Sequence, residues 1–260
     1  TSVIIGSDKN IENDYSSDII KKCNELNLKY CLENKTSMNS AAYSIAIGWR
    51  RLINDESNLI VFHDSLLPKY RGFNPLVTAL INGDKKVGVT ALKASKKYDR
   101  GNIIAQRTIE INYPAKIKEV IDLISLEYAH LLNTIFDKLI QGNLNSYPQN
   151  EDLVSYSLWR DDENYKIDWT LKANTIKRFI DAVSFPYKGA YSLINNQKII
   201  IADSEVIKDV EIPIRETGKV IFKDNNTYAI VCGKGLLEVR DFYDHNGEPI
   251  KLKNFRIRFK

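Results

Sequence analysis

Cysteine is scarce in this chain and has no pattern: Cys23, Cys31 and Cys232 stand alone, without a CxxC spacing. An odd, scattered set argues against a disulfide framework and against a zinc site. It fits a reducing compartment, so a cytoplasmic setting is expected. No apolar run approaches the ~18 residues of a membrane span, and no signal-peptide pattern opens the chain, so no membrane partner is expected. Neither sign of charge dominates: 37 Lys and Arg against 33 Asp and Glu leave a net charge of +4. That mild excess suits an anionic small molecule and does not demand nucleic acid. Internal repeats are also missing. What remains is 260 residues, 43% of them hydrophobic, enough for one large core or a large and a small one.

Apolar runs at residues 3–6, 44–48 and 58–62 read as buried strands of a parallel sheet. Residues 18–26 and 74–81 have helical spacing, and residues 87–94 and 102–111 are strand-like, separated by a polar loop. Pro114 opens the clearest helix, with Ile117, Ile121, Ile124, Tyr128, Leu131, Ile135 and Leu139 on one stripe and Gly142 as its stop. After a polar connector and a helix at residues 174–183, the pattern changes to short β segments separated by Asn195-Asn196, Asp224-Asn225-Asn226 and Asn246-Gly247. The fold class expected is α/β: a mostly parallel, Rossmann-like sheet with helices on both faces, followed by a smaller, mainly β, barrel-like C-terminal domain. The expected boundaries are residues 1–147, a connector with a helix at 148–188, and the β-rich domain at 189–260.

His63 follows the apolar run Leu59-Ile60-Val61-Phe62, and Asp99 ends the polar loop after the next strand-like segment. Open α/β sheets place ligands outside the carboxyl ends of their strands. An imidazole there can give or take a proton near neutrality. Each residue alone has a plainer reading, His63 as a strand cap and Asp99 as a turn residue. His130 lies within the long helix and His245 in a hairpin turn, and both read as structural.

The blocks His63-Asp64-Ser65-Leu66-Leu67-Pro68-Lys69-Tyr70-Arg71-Gly72, Gly88-Val89-Thr90 and Asp99-Arg100-Gly101 together resemble the formyltransferases that use 10-formyltetrahydrofolate. Downstream, Lys166-Ile167-Asp168-Trp169 and Pro186-Tyr187-Lys188-Gly189-Ala190 resemble the nucleotide-sugar N-formyltransferases of that family. The resemblance implies His63 and Asp99 as catalytic residues. It implies a folate site at Trp49, Arg51, Leu52 and Ile53 together with Ser95, Lys97 and Tyr98, held largely through backbone. For Trp49 a role as core filler stays open. Lys69, Tyr70 and Arg71, with Trp159, Phe185 and Tyr187, are the expected contacts to a nucleotide sugar; for Lys69 and Arg71 a solvated loop is the alternative. No metal is implied. The residues 1–147 would then be the catalytic domain.

Two departures from the family stand out. Its asparagine, two positions before the histidine, is here Val61. An asparagine amide would help hold the formyl oxygen, and losing one such donor costs on the order of 10²–10³ in rate. Ser65, Asp64 and nearby backbone N–H groups are the candidate replacements. The family also opens with a strand and helix before the segment found here at residues 3–6, so a truncated or shortened start is expected. The open sheet edge it leaves would favour a homodimer. The expected function is transfer of a formyl group to the primary amine of a nucleotide-linked amino sugar, for bacterial surface glycan synthesis. Methionyl-tRNA as acceptor, hydrolysis of formyl-folate, and a non-catalytic ligand-binding descendant are the alternatives. The acidic balance of residues 8–18 speaks against tRNA.

Overall fold

The computed structural model describes residues 1–8, 13–33, 41–49, 51, 53 and 57–260. The chain forms two compact units: residues 1–76, 86–110 and 122–159, and residues 77–85, 111–121 and 160–260.

In the first unit β1 (Ser2–Ile5) is followed by α1 (Ser16–Glu25) and pairs in parallel with β2 (Lys29–Leu32). A four-stranded sheet has the order β3 (Ser44–Ile47), β4 (Leu59–His63), β6 (Lys86–Lys93) and β7 (Ile103–Glu110). Between β4 and β6 in the chain lie the short strand β5 (Arg71–Gly72), which pairs in parallel with β8 (Tyr156–Ser157), and helix α2 (Pro75–Asn82), most of which belongs to the second unit. The α/β class is the one expected, but the sheet is mixed: β3 and β4 run parallel, whereas β6 is antiparallel to both β4 and β7. Apolar runs report burial on both faces and say little about direction. Here the residues 87–92 of β6 are all buried although the strand runs antiparallel. The brief loop from β6 to β7 permits that return, since antiparallel neighbours need no long crossover.

Helix α3 (Ile117–Ile140) supplies one cover. Its Leu131 and Ile135, at 0% exposure, join Ile60, Phe62, Val89, Ala91 and Ile104 in the main core of this unit. Gly142 takes a positive φ of 64° as the helix ends, which glycine allows without strain.

The second unit contains α4 (Ala173–Ala182) and strands β9 (Ala190–Ile194), β10 (Gln197–Ile207), β11 (Val220–Asp224), β12 (Thr227–Val231), β13 (Leu236–Tyr243) and β14 (Pro249–Ile250). The order β11-β12-β13-β10-β9 is antiparallel throughout, with β14 added to β13. The last residues close this sheet on itself. Lys260 exchanges backbone hydrogen bonds with Leu193 of β9, while Phe259 N–H donates to Gly218 and Arg258 bridges Lys219 beside β11. Closure of this kind leaves few open edges, as in a barrel. Asn195 and Asn196 both take positive φ, as a two-residue hairpin turn requires.

Candidate active site

Strand alternation sets up the site. Along β4, Ile60 and Phe62 point to the α3 core, and Asp64 continues that face by accepting a hydrogen bond from the Tyr128 hydroxyl of α3. The Phe62 and Tyr128 rings stack at 5.5 Å. Leu59, Val61 and His63 share the opposite face, where Leu59 and Val61 line a pocket.

His63, 7% exposed, closes the strand. Its Nε2 lies 2.8 Å from the Tyr70 carbonyl oxygen, so Nε2 carries a proton and donates. Its Nδ1 lies 3.5 Å from Asp99 Oδ1, an ion-pair separation. Both ring nitrogens therefore face acceptors. Asp99 also lines the pocket, and its Oδ2 accepts from Gly72 N–H at 2.8 Å. Gln149 Nε2 donates to the backbone carbonyls of Asp99 and Gly101, at 2.7 and 2.8 Å.

The loop after His63 is tied down over the sheet. Thr90, opposite His63 on β6, donates to the Ser65 carbonyl at 2.6 Å and accepts from Leu67 N–H and Gln106 Nε2. Gly72 has φ 108°, and a Cβ there would run into the Ser157 carbonyl, so only glycine fits beside β8.

Six of the expected folate residues, Trp49, Arg51, Ile53, Ser95, Lys97 and Tyr98, line the same pocket as Val61 and Asp99. Leu52 lies outside the described residues. The rest of the wall is apolar: Ala46, Leu59, Leu92 and Ala94. Ser95 Oγ donates to the Lys97 carbonyl at 2.7 Å, which shapes the loop, and Arg51 pairs with Glu33. The Trp49 indole N–H is buried with no hydrogen-bond partner among the described residues. An apolar cleft edged by polar groups fits a small, largely apolar ligand.

Two expectations change. Ser65 is 3% exposed, and its hydroxyl donates to the Lys69 carbonyl at 2.6 Å. Its single proton is spent inside the loop, so it is not placed to serve an oxyanion. Arg71 is 1% exposed and is not a substrate contact in this geometry. Its guanidinium donates to Gln149 Oε1 at 3.0 and 2.8 Å and, bidentate, to Glu151 at 3.1 and 2.7 Å. The Glu151 hydrogen bonds raise Arg71 above its ordinary value and hold Glu151 below the usual carboxylate range. Lys69 and Trp159 are exposed, the latter by 63%, and Tyr70 is half-buried. Phe185 (47% exposed) and the half-buried Tyr187 belong to the second unit. Gln149 was missed altogether, because a lone glutamine in a polar connector carries no sequence signal.

Among the described residues no group of three His, Cys, Asp or Glu side chains could hold a metal ion, and no helix is long and apolar enough to cross a membrane. Residues 24–132 match the family model described as formyl transferase, and residues 160–260 match the model of the formyl transferase C-terminal domain. Methionyl-tRNA formyltransferase of Clostridium novyi is 30% identical over 75% of this chain and 62% of its own length. The chain therefore spans about three fifths of that relative. Among solved structures, the sugar 3N-formyl transferase WlaRD, crystallised with dTDP and 5-N-formyl-THF, aligns at TM-score 0.68 and 20% identity over 97% of this chain and 88% of its own. The N-formyltransferase of Helicobacter canadensis, in complex with folinic acid and dTDP-3-aminofucose, aligns at TM-score 0.63 and 18% identity over 93% and 99%.

Proposed function

The chain belongs to the formyl transferase family, and from that premise we propose that it transfers the formyl group of 10-formyltetrahydrofolate to the primary amine of a nucleotide-linked amino sugar. One observation carries the reading: His63 and Asp99 stand 3.5 Å apart, and Asp99 lines the same pocket as Trp49, Arg51, Ile53 and Tyr98. The folate would lie in that pocket and would supply the formyl group.

His63 Nε2 is committed to Tyr70, so Nδ1 is the nitrogen available to the reaction. In this proposal the Nδ1–H, which faces Asp99 Oδ1 in this structure, is shared with the formyl oxygen as negative charge grows there, and Asp99 orients the ring and receives the proton of the attacking amine. The bond from the formyl carbon to the amine nitrogen forms as its bond to the folate nitrogen breaks. The amine's proton passes to the departing folate nitrogen through Asp99 and His63. The apolar wall at Leu59, Val61 and Leu92 keeps bulk water from competing.

The amino-sugar acceptor is supported by the resemblance of residues 166–169 and 186–190 to sugar-modifying members. The exposed aromatic side chains of Trp159 and Phe185 are available to stack on a base, Tyr187 is a further candidate, and exposed Lys69 is available to meet a phosphate. Surface glycan synthesis, a cytoplasmic setting and a homodimer belong to the same proposal. A second reading, methionyl-tRNA as acceptor, is favoured by the 30% identity to the Clostridium enzyme.

Tetrahydrofolate release is measured with 10-formyltetrahydrofolate and, in separate reactions, nucleotide 3- and 4-amino sugars, methionyl-tRNA, and no amine. Release with an amino sugar is expected, and His63→Ala and Asp99→Ala should each lower it by at least ~10². Release only with methionyl-tRNA, only without amine, or in no reaction would overturn the proposal.

A further inference from the structure

We infer that Gln149 is the positioning residue that keeps the Asp99 carboxylate against His63, with buried Arg71 as its anchor. Asp99 has a φ of 56°, a backbone region that non-glycine residues rarely hold. Aspartate enters this region more readily than most residues, so the hydrogen bonds around it are what select this placement of the loop. The restraints come from two directions. Gly72 N–H fixes Oδ2 at 2.8 Å, which leaves Oδ1 toward His63 Nδ1. Gln149 Nε2 spends both its hydrogens on the backbone of the same loop, one on the Asp99 carbonyl and one on the Gly101 carbonyl.

The glutamine is itself fixed from behind. Its Oε1 accepts twice from Arg71, whose remaining donors clamp Glu151, two residues further along the connector. Arg71 and Gly72 are the two residues of β5, so one short strand holds Gln149 by a side chain and Asp99 by a backbone N–H. A segment that reads as a polar linker is in this way part of the catalytic frame. A displacement of about 1 Å in a group that must be aligned can cost on the order of 10² in rate. The catalytic half of this inference rests on the proposed formyl transfer; the placement of Asp99 does not.

Gln149→Glu separates the two sides of the brace. It keeps the acceptor that Arg71 uses and replaces the two N–H donors with an oxygen. Hydrogen exchange of three successive amides gives the readout. Arg71 N–H donates to Ser155, Phe73 N–H donates to Ser157, and Gly72 N–H between them donates to Asp99. In Gln149→Glu the Gly72 amide is expected to exchange at least ~10-fold faster while its two neighbours keep their protection. The kcat of formyl transfer should fall by about 10–10², with the KM for formyl-folate changed less than about threefold. Asp99→Ala provides the reference for complete loss of Gly72 protection. Gln149→Met, which removes the donors and the acceptor together, is the second variant if the glutamate variant does not fold, and faster exchange of Gly72 with both neighbours still protected is again the expected result. An unchanged Gly72 amide, or three amides that lose protection together, would overturn the inference, since the second result means only that the connector has undocked. Selective Gly72 exposure in a protein that turns over no amine would uphold the placement and overturn the proposed function.

Discussion

Strand β4 has two faces built from the same kind of residue for different ends. On one face Ile60 and Phe62, 1% and 4% exposed, are enclosed by Leu131 and Ile135 of α3. On the other Leu59 and Val61 wall a pocket, and His63 is the last residue of the strand. The first face is finished by protein, and the second leaves apolar area for a ligand to complete. Stability should therefore depend on the first face and turnover on the second, although adjacent residues alternate between them.

The largest expected effect breaks the closed face. Phe62→Ala removes a buried ring stacked on Tyr128 and should cost about 3–5 kcal/mol of stability. Its rate per folded molecule should stay within a few fold of the parent, read by denaturant unfolding beside a turnover assay. A loss of rate as large as that of His63→Ala, with stability unchanged, would mean that the two faces are not separable.

The next effect sharpens the open face. Val61→Asn puts an amide donor on the pocket wall where the resemblance implies one. If a missing oxyanion donor limits the rate, kcat should rise by up to about 10². Stability should fall by about 1–3 kcal/mol, because the amide is unpaired until ligand binds. An unchanged kcat would indicate that a backbone N–H or a second position of the His63 ring already supplies that contact. It would not be Ser65, whose hydroxyl is taken by Lys69.

How much of this was legible in the sequence depends on the kind of signal. The strand ending on His63, the α3 stripe and the Asn195-Asn196 turn follow from periodicity and turn chemistry, which are local. The residues expected at the folate come from a resemblance, and one pocket gathers six of them. Direction in the sheet was not legible, since burial on both faces gives the same apolar run in either orientation. The roles of Arg71 and Gln149 were not legible either. A lysine- and arginine-rich loop resembles an anion site, and only the fold shows that Glu151 and Gln149 come back to cover Arg71. Strand β10 continues past Ile201 through the polar run Asp203-Ser204-Glu205, which carries no strand pattern of its own.

The smallest expected effect probes the seam between the two faces, where Asp64 follows His63. Burial pushes the Asp64 carboxyl above its usual range, and the Tyr128 hydrogen bond and the nearby His63 only partly offset this. Burial and the neighbouring carboxylate raise the Tyr128 phenol well above its ordinary value, which keeps it a donor. A carboxyl raised in the folded state holds its proton more tightly there than in the unfolded chain. Its contribution to stability is thus full below the unfolded value and is lost as pH rises through the folded one. Asp64→Asn keeps an acceptor for Tyr128 and has no charge to bury. Its melting temperature should exceed the parent's at neutral pH, and the gap should close as pH falls below the ordinary carboxylate range. Two melting curves that run parallel from pH 3 to 8, or a parent that is the more stable at neutrality, would show that the Asp64 charge is well solvated at this seam.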